Sequence, residues 1–345
     1  MQLPLVVKSL RHRAAAGSVS RYILLPEYSD IRVLSAARTI TDLNIAKVGF
    51  TGDRDKILRT AQSFKIDISG TSILSSSDQN IVEIASRRLM ERLAGKEDLS
   101  MEQARARVMA SDLDFANLLV SADVADGVVS GSIATTAAVA RSAIHCVGLG
   151  KSSETASSFF VMAKDDKWKI LADCGFVVDP TVEQLACIAG TTGRSTKALL
   201  GVEPIVAMLS FSTKGSAKHA NVDKVRQAAE LAKARYPDII IDGELQGDAA
   251  LVPDIYRTKA SGSPVKGMAN VLVFPDLQAG NIAYKLLERM GGWQALGPVF
   301  QGFSKPTNDL SRGCSDEDIV NAVAITALQA SDTAVARSSN LGELI

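Results

Sequence analysis

Apolar positions along the chain recur with two periods. Short apolar runs stopped by turn residues read as buried strands: Tyr22-Ile23-Leu24-Leu25 before Pro26-Glu27, and Ala46 to Phe50 before Thr51-Gly52. Between them Ile31, Leu34, Ala37 and Ile40 or Leu43 share one helical face, beginning at Asp30. The alternation continues with a helix from Asp78 to about Ala94 and one helix from Ser100 to Ser121, opened by a Ser100–Gln103 capping box. Asp126 to Gly131 reads as a strand and a glycine turn. Ala134, Thr135 and Thr136 then open a helix that contains Arg141. Strands alternating with helices predict a parallel sheet covered on both faces.

Gly148 to Ser153 reads as a linker. Its Gly-x-Gly-Lys-Ser has a superficial P-loop look, but the full spacing and a preceding strand are missing. Strands follow at Ser158–Met162 and Lys169–Ala172, then a helix from Thr181 with Gln184 in capping-box position. Ile205–Phe211, Ile239–Glu244 and Val271–Pro275 are further strands, and a helix runs from Asn221 or Val222 to about Tyr236. Asp276 to Gly280 lead into a helix bearing Asn281, Tyr284 and Lys285. The first twenty or so residues are basic and weakly patterned, and read as a surface helix or a loose lead.

The densest cluster of reactive side chains is the polar stretch Asn308 to Asp318. Ser315 reads as an N-cap with Asp318 three residues on, and Ile319, Val320, Val323, Ala324, Ala327 and Leu328 then recur at helical spacing. A loop with a hydroxyl (Ser311), a guanidinium (Arg312) and a thiol (Cys314) therefore enters a helix N-terminus. Free N–H groups and the helix dipole attract anions there. The expectation is half of a site for a phosphorylated ligand. The turn at Ser130–Thr136 is of the same type, with Arg141 about two turns in; its alternative is a capped glycine turn beside a surface arginine.

Arg312 is unfavourable for the dipole unless an anion lies between them, or unless it pairs with Asp309 or Asp316. Asp318 fits a capping box, and a held carboxylate is also an oriented base. Cys314 has no histidine nearby in sequence, and the structural reading is favoured over a nucleophile. His145 reads as a packing histidine.

Composition narrows the class. The 345 residues allow two domains, and 46% hydrophobic with 22% charged residues fits a globular protein. Lys plus Arg and Asp plus Glu balance at 38 each with no basic patch, which argues against nucleic acid as a partner. No apolar run has the ~18–20 residues of a membrane span. The apolar stretch after Met1 is too short for a signal peptide and its basic residues follow it. Cys146, Cys174, Cys187 and Cys314 have neither metal-ligand spacing nor a disulfide framework, so a reducing cytoplasm is expected.

Five stretches in order carry a family resemblance: Asp126 to Gly131, Met208 to Lys218, Asp242 to Gln246, Phe274 to Lys285, and Asn308 to Asp318. Together they resemble the phosphate acetyltransferase (phosphotransacetylase) family over roughly residues 20 to 330. The resemblance implies reversible acetyl transfer between coenzyme A and phosphate, with no metal or redox cofactor. It implies two α/β/α domains with largely parallel sheets and a cleft between them, like isocitrate and isopropylmalate dehydrogenases. Residues 1–150 and 302–345 would form the first domain. Residues 151–301 would form the second, through which a homodimer assembles.

It further implies Asp318 as the base for the thiol, Ser311 as a hydrogen-bonding partner near the reacting atoms, and Arg312 as the phosphate ligand. Arg141, Ser130, Thr135, Thr136, Arg92, Asn281, Tyr284 and Lys285 would bind substrate. Arg92 is chosen over Arg87 and Arg88 without a fixed register. Two positions depart from the family: Ala134 replaces a histidine, and Ser142 replaces a proline. The rivals are a phosphate acyltransferase for a longer acyl group such as butyryl, a metal-dependent decarboxylating dehydrogenase that could draw on Asp242, Glu244 and Asp248, and a non-catalytic relative that binds coenzyme A.

Overall fold

The structure, a computed structural model, describes residues 3–17, 19–151 and 153–332. Met1, Gln2, Ser18, Ser152 of the expected linker, and residues 333–345 lie outside the described residues. The strands are β1 (Tyr22–Leu25), β2 (Lys47–Gly52), β3 (Ser72–Ser75), β4 (Gly127–Ser130), β5 (Ser157–Lys164), β6 (Lys167–Ala172), β7 (Ile205–Leu209), β8 (Ile240–Leu245), β9 (Val271–Val273), β10 (Gln294–Gln301) and β11 (Thr307–Asp309). The first seven helices are α1 (Leu5–Ala15), α2 (Ile31–Asp42), α3 (Arg54–Phe64), α4 (Gln79–Leu93), α5 (Met101–Met109), α6 (Asp112–Ser121) and α7 (Thr136–Ser142). The rest are α8 (Val182–Leu200), α9 (Ala220–Arg235), α10 (Gly247–Leu251), α11 (Pro253–Lys259), α12 (Leu277–Arg289) and α13 (Asp316–Asp332).

The chain forms two compact units: Ser9–Lys151 with Phe303–Ile345, and Met1–Lys8 with Ser152–Gly302. In the first unit five strands run in the order β11-β4-β1-β2-β3, and every pairing is parallel. Residues alternate between its faces, as a pleated strand requires. Ile23 and Leu25 pack with Val33, Leu34, Phe50 and Val323 on one side. Tyr22 and Leu24 pack with Ile81, Phe115, Leu118 and Val128 on the other. A central strand buried on both faces is apolar at every position, which is why Tyr22 to Leu25 shows no alternation in sequence.

The basic lead is α1. Its Val7 and Leu10 are buried, and the Arg11 guanidinium reaches α13, donating to Asn321 Oδ1 at 2.8 Å and pairing with Glu317. Ser100 to Ser121 is two helices rather than one. Ser111 interrupts it, caps α6 by accepting from Asp114 N–H at 3.1 Å, and turns the chain after α5.

In the second unit six strands run β10-β5-β6-β9-β7-β8, antiparallel across β10–β5–β6 and parallel beyond. Its helix α12 starts at Leu277, capped by Asp276, so Gly280 lies inside it rather than before it. A Cβ at Gly280 would stand 2.4 Å from the Asp173 carbonyl, so glycine there allows close packing and does not end a turn.

Candidate active site

In a parallel sheet, ligands gather at the carboxyl ends of the strands. In the first unit β1, β4 and β11 end side by side. β11 runs into the Leu310–Ser315 loop and α13, and β4 runs into the Gly131–Thr135 turn and α7. Two residues just past β1 tie these segments together.

The first is Glu27. Its carboxylate accepts from the N–H groups of Gly131 and Ser132 at 2.7 Å each, Ile133 at 3.2 Å and Ala134 at 2.7 Å, and from the Ser132 hydroxyl at 2.9 Å. The N–H groups that the sequence offered for an anion at this turn are thus filled by the chain's own carboxylate. The second is Arg32. Its guanidinium donates to the carbonyls of Arg312 (3.0 Å), Cys314 (2.6 Å) and Ser132 (3.1 Å), and Asp30 holds it from behind at 2.6 Å. One planar fork therefore joins the loop before α13 to the turn before α7.

Beyond that clasp the Ser311 loop projects. Ser311 and Arg312 are exposed, and the loop closes on itself through Cys314 N–H to Ser311 O at 2.9 Å. Asp318 forms the capping box: Ser315 N–H and Oγ both donate to its Oδ2 at 2.9 Å, and Ser315 Oγ accepts from Asp318 N–H at 3.2 Å. All of this uses Oδ2, and Oδ1 has no hydrogen bond among the described residues. The carboxylate is held in place with one oxygen to spare. Arg312 and Arg141 are exposed and have no ion pair among the described residues; neither Asp309 nor Asp316 takes up Arg312. An uncommitted guanidinium beside a helix N-terminus suits a ligand anion.

Cys314 belongs to the core beside Val320 and Leu25, and burial pushes its thiol up to about 11. It is not a thiolate near neutrality. Cys314→Ala should therefore leave turnover within about threefold of wild type. A loss of tenfold or more with an unchanged melting temperature would restore the nucleophile reading.

The remaining expected residues divide. Thr135 caps α7, its hydroxyl accepting from Ala138 N–H at 3.2 Å. Ser130 is fully buried with its hydroxyl unpartnered, so in this structure it does not face solvent. Arg87 and Arg88 are paired with Glu83 and Glu91, whereas Arg92 donates to the carbonyls of His145 and Ile144 at 3.3 Å. Ser142 accepts from Asn117 Nδ2 at 2.9 Å, and Asn117 Oδ1 accepts from Thr307 at 3.0 Å.

Asn281, Tyr284 and Lys285 stand on α12 of the second unit. Asn281 donates to Cys174 O at 3.1 Å, Tyr284 stacks on Phe160 at 4.2 Å, and Lys285 lies over the Tyr284 ring at 5.1 Å. Asp242, Glu244 and Asp248 do not converge. Lys214 and Lys233 neutralise Asp242, Ser212 and Gly215 donate to Glu244, and Lys259 pairs with Asp248.

Comparison with known proteins gives the family and the fold. The profile of the family described as phosphate acetyl/butaryl transferase matches residues 5–327. A phosphate acetyltransferase of Thermoanaerobacterium thermosaccharolyticum is 42% identical over 331 residues, covering 94% of this chain and 99% of that one. The crystallised EutD phosphotransacetylase of Staphylococcus aureus superposes with a TM-score of 0.87 at 39% identity, over 94% of this chain and 98% of that one. A putative 4-hydroxythreonine-4-phosphate dehydrogenase of Salmonella typhimurium, at TM-score 0.52 and 13% identity, shares the fold alone, over 91% of this chain and all of that one. The chain belongs to the phosphate acetyl/butyryl transferase family, and its architecture is the dehydrogenase-like α/β fold.

Proposed function

We infer that this chain is a phosphate acetyltransferase, interconverting acetyl-CoA plus phosphate with coenzyme A plus acetyl phosphate. The observation that carries the reading is the capped Asp318, with one oxygen unbonded among the described residues, in the first turn of the helix that the loop of the exposed Arg312 enters. In the thioester-forming direction Asp318 Oδ1 takes the proton of the coenzyme A thiol. The sulfur attacks the carbonyl carbon of acetyl phosphate, the bond from that carbon to the phosphate oxygen breaks, and phosphate leaves with its electron pair. Arg312 and the α13 N-terminus balance the charge on the departing phosphate. Ser311 offers its hydroxyl to the reacting carbonyl oxygen, and Arg141 offers an anion contact. Arg92, Thr136, Asn281, Tyr284 and Lys285 are assigned to substrate binding on the family resemblance. Both substrates bind together, so positioning supplies much of the acceleration, with no covalent enzyme intermediate, metal or redox cofactor.

The test is thioester formation from coenzyme A and acetyl phosphate without added metal, with butyryl phosphate as a second donor. Turnover confined to butyryl phosphate would keep the mechanism and overturn the substrate. No turnover with either donor would overturn the activity.

Two further assignments belong to this reading. The protein works in the cytoplasm: its four cysteines are unpaired and buried, and among the described residues no helix is long and apolar enough to cross a membrane. It assembles as a homodimer through the second unit. Ile282 and Leu286 on α12 and Met290 at its C-terminal cap form an apolar stripe four residues apart, 57%, 51% and 83% exposed. Such a stripe on a soluble protein marks an interaction face. Sedimentation should give twice the chain mass, and Ile282→Asp with Leu286→Asp should halve it. A wild-type monomer at assay concentration would refute the dimer.

A further inference from the structure

Four carboxylates are buried among the described residues: Asp173, Asp242, Glu244 and Asp309. Three are supplied with donors. Asp173 accepts from three backbone N–H groups and the Ser158 hydroxyl, Asp242 meets two lysines, and Glu244 accepts from Gly215 N–H and Ser212. Asp309 differs. It is 2% exposed, and neither of its oxygens is in hydrogen-bond geometry with any group among the described residues. Its partner across the β11–β4 pairing is Ser130, whose hydroxyl is fully buried and equally unpartnered.

The place is close-packed. A Cβ on Gly131 would lie 2.2 Å from Asp309 Oδ1, 2.7 Å from Leu310 N and 2.8 Å from Leu310 O. The Asp309 carboxyl, the Gly131 turn and the Leu310 peptide therefore meet at one point, and the next residue is Ser311. Nothing larger than glycine fits between them. We propose that Asp309 is a positioning residue for acyl transfer, seating the Leu310 peptide against the Gly131 turn and so fixing where Ser311 and Arg312 present their side chains. This rests on the acetyltransferase reading above.

Asp309 does this as the neutral acid. A buried carboxylate with no donor in hydrogen-bond geometry is poorly kept charged. The charged group acting on it is Glu27, across the Gly131 turn, which already takes that turn's donors. From α7 it meets the uncharged Thr136 hydroxyl, and from β4 the uncharged Ser130. Arg32, on the Ser132 carbonyl, is neutralised by Asp30. Burial foremost raises the Asp309 carboxyl to about 7; the nearby Thr136 hydroxyl and Leu310 N–H oppose this, and Glu27 adds to it. Ionisation would place a second negative charge beside Glu27 and force the turn and the Leu310 peptide apart.

The experiment compares full-length wild type, the isosteric Asp309→Asn and Asp309→Ala, measuring kcat and KM for acetyl phosphate and coenzyme A from about pH 6 to about pH 8. Asp309→Asn should match wild type near pH 6. The ratio of wild-type to variant kcat should then fall about tenfold toward pH 8, as the neutral acid is lost, with KM little changed. Asp309→Ala should be slower throughout.

Melting supplies a readout independent of turnover. The folded pKa is raised, so the native state binds the proton more tightly than the unfolded chain. Wild type should lose stability relative to Asp309→Asn as the pH rises from the ordinary carboxylate range to about 7, and no further above it. Parallel pH profiles for wild type and Asp309→Asn, or an Asp309→Asn variant inactive near pH 6, would overturn the proposal while leaving the acetyltransferase standing. A wild type without turnover would overturn both.

Discussion

Asp318→Asn should lower kcat for acetyl transfer by about two to four orders of magnitude, the usual worth of a positioned base. It should do so with almost no change in stability. The reason lies in how the two oxygens are used. Ser315 N–H and Oγ both donate to Oδ2, and the Asn side-chain oxygen can take over that role. The backbone half of the box, Asp318 N–H to Ser315 Oγ, does not involve the substituted atoms. The cap survives, so the melting temperature should move by less than a lost cap, which costs ~1 kcal/mol. Oδ1 is different: no group among the described residues holds it, and an amide there cannot take a proton. Asp318→Ala adds the loss of the cap and should reduce stability and rate together. Turnover of Asp318→Asn within a few-fold of wild type would leave Asp318 as a helix cap and nothing more.

The cap itself was legible in the sequence, because a capping box is a local object. Ser315 and Asp318 lie three residues apart, and the apolar period of α13 begins directly after them. The same locality made β1, β2, β4 and the start of α8 readable. It also explains what went unread. The apolar period runs through Ala110 to Asp112, so α5 and α6 looked continuous, although Ser111 with Asp114 three residues later was a second cap in plain view. β3 has two apolar residues and an edge position, too little pattern to register.

The clasp of the site was invisible for a different reason. Glu27 acts on the backbone of residues more than a hundred positions away, and Arg32 on carbonyls 280 and 282 positions away. Backbone groups leave no side-chain signature, so no spacing could announce either contact. The Ser130–Thr136 turn was correctly located, yet its N–H groups were already spoken for by Glu27. By sequence alone Asp309, like Asp316, is a candidate salt-bridge partner for Arg312. In the structure it is buried away from any cation, a distinction that depends on which face of β11 it occupies.

Two arginines of the same loop cluster should therefore fail in opposite ways. Arg312 is exposed and makes no ion pair among the described residues; within the loop its backbone carbonyl, not its guanidinium, is what Arg32 holds. Arg312→Ala should lower kcat/KM for acetyl phosphate by about 10²–10³, the scale of a lost donor to developing charge, with the melting temperature unchanged. Arg312→Lys keeps the charge but not the two-pronged geometry, and should recover only part of the loss. Arg32 lies under the loop, bonded to three carbonyls and to Asp30. Arg32→Ala strips those acceptors of their donor at ~1–3 kcal/mol for each that stays buried, so the protein should melt lower and lose activity through disorder of the loop. Calorimetry beside the kinetic assay separates the two. If Arg312→Ala also melts lower, or loses less than about threefold in kcat/KM, its guanidinium is a structural group and the phosphate is held elsewhere. If Arg32→Ala melts like wild type, the clasp is not what holds Ser311 and Arg312 in place, and the loop owes its position to α13 and the capping box alone.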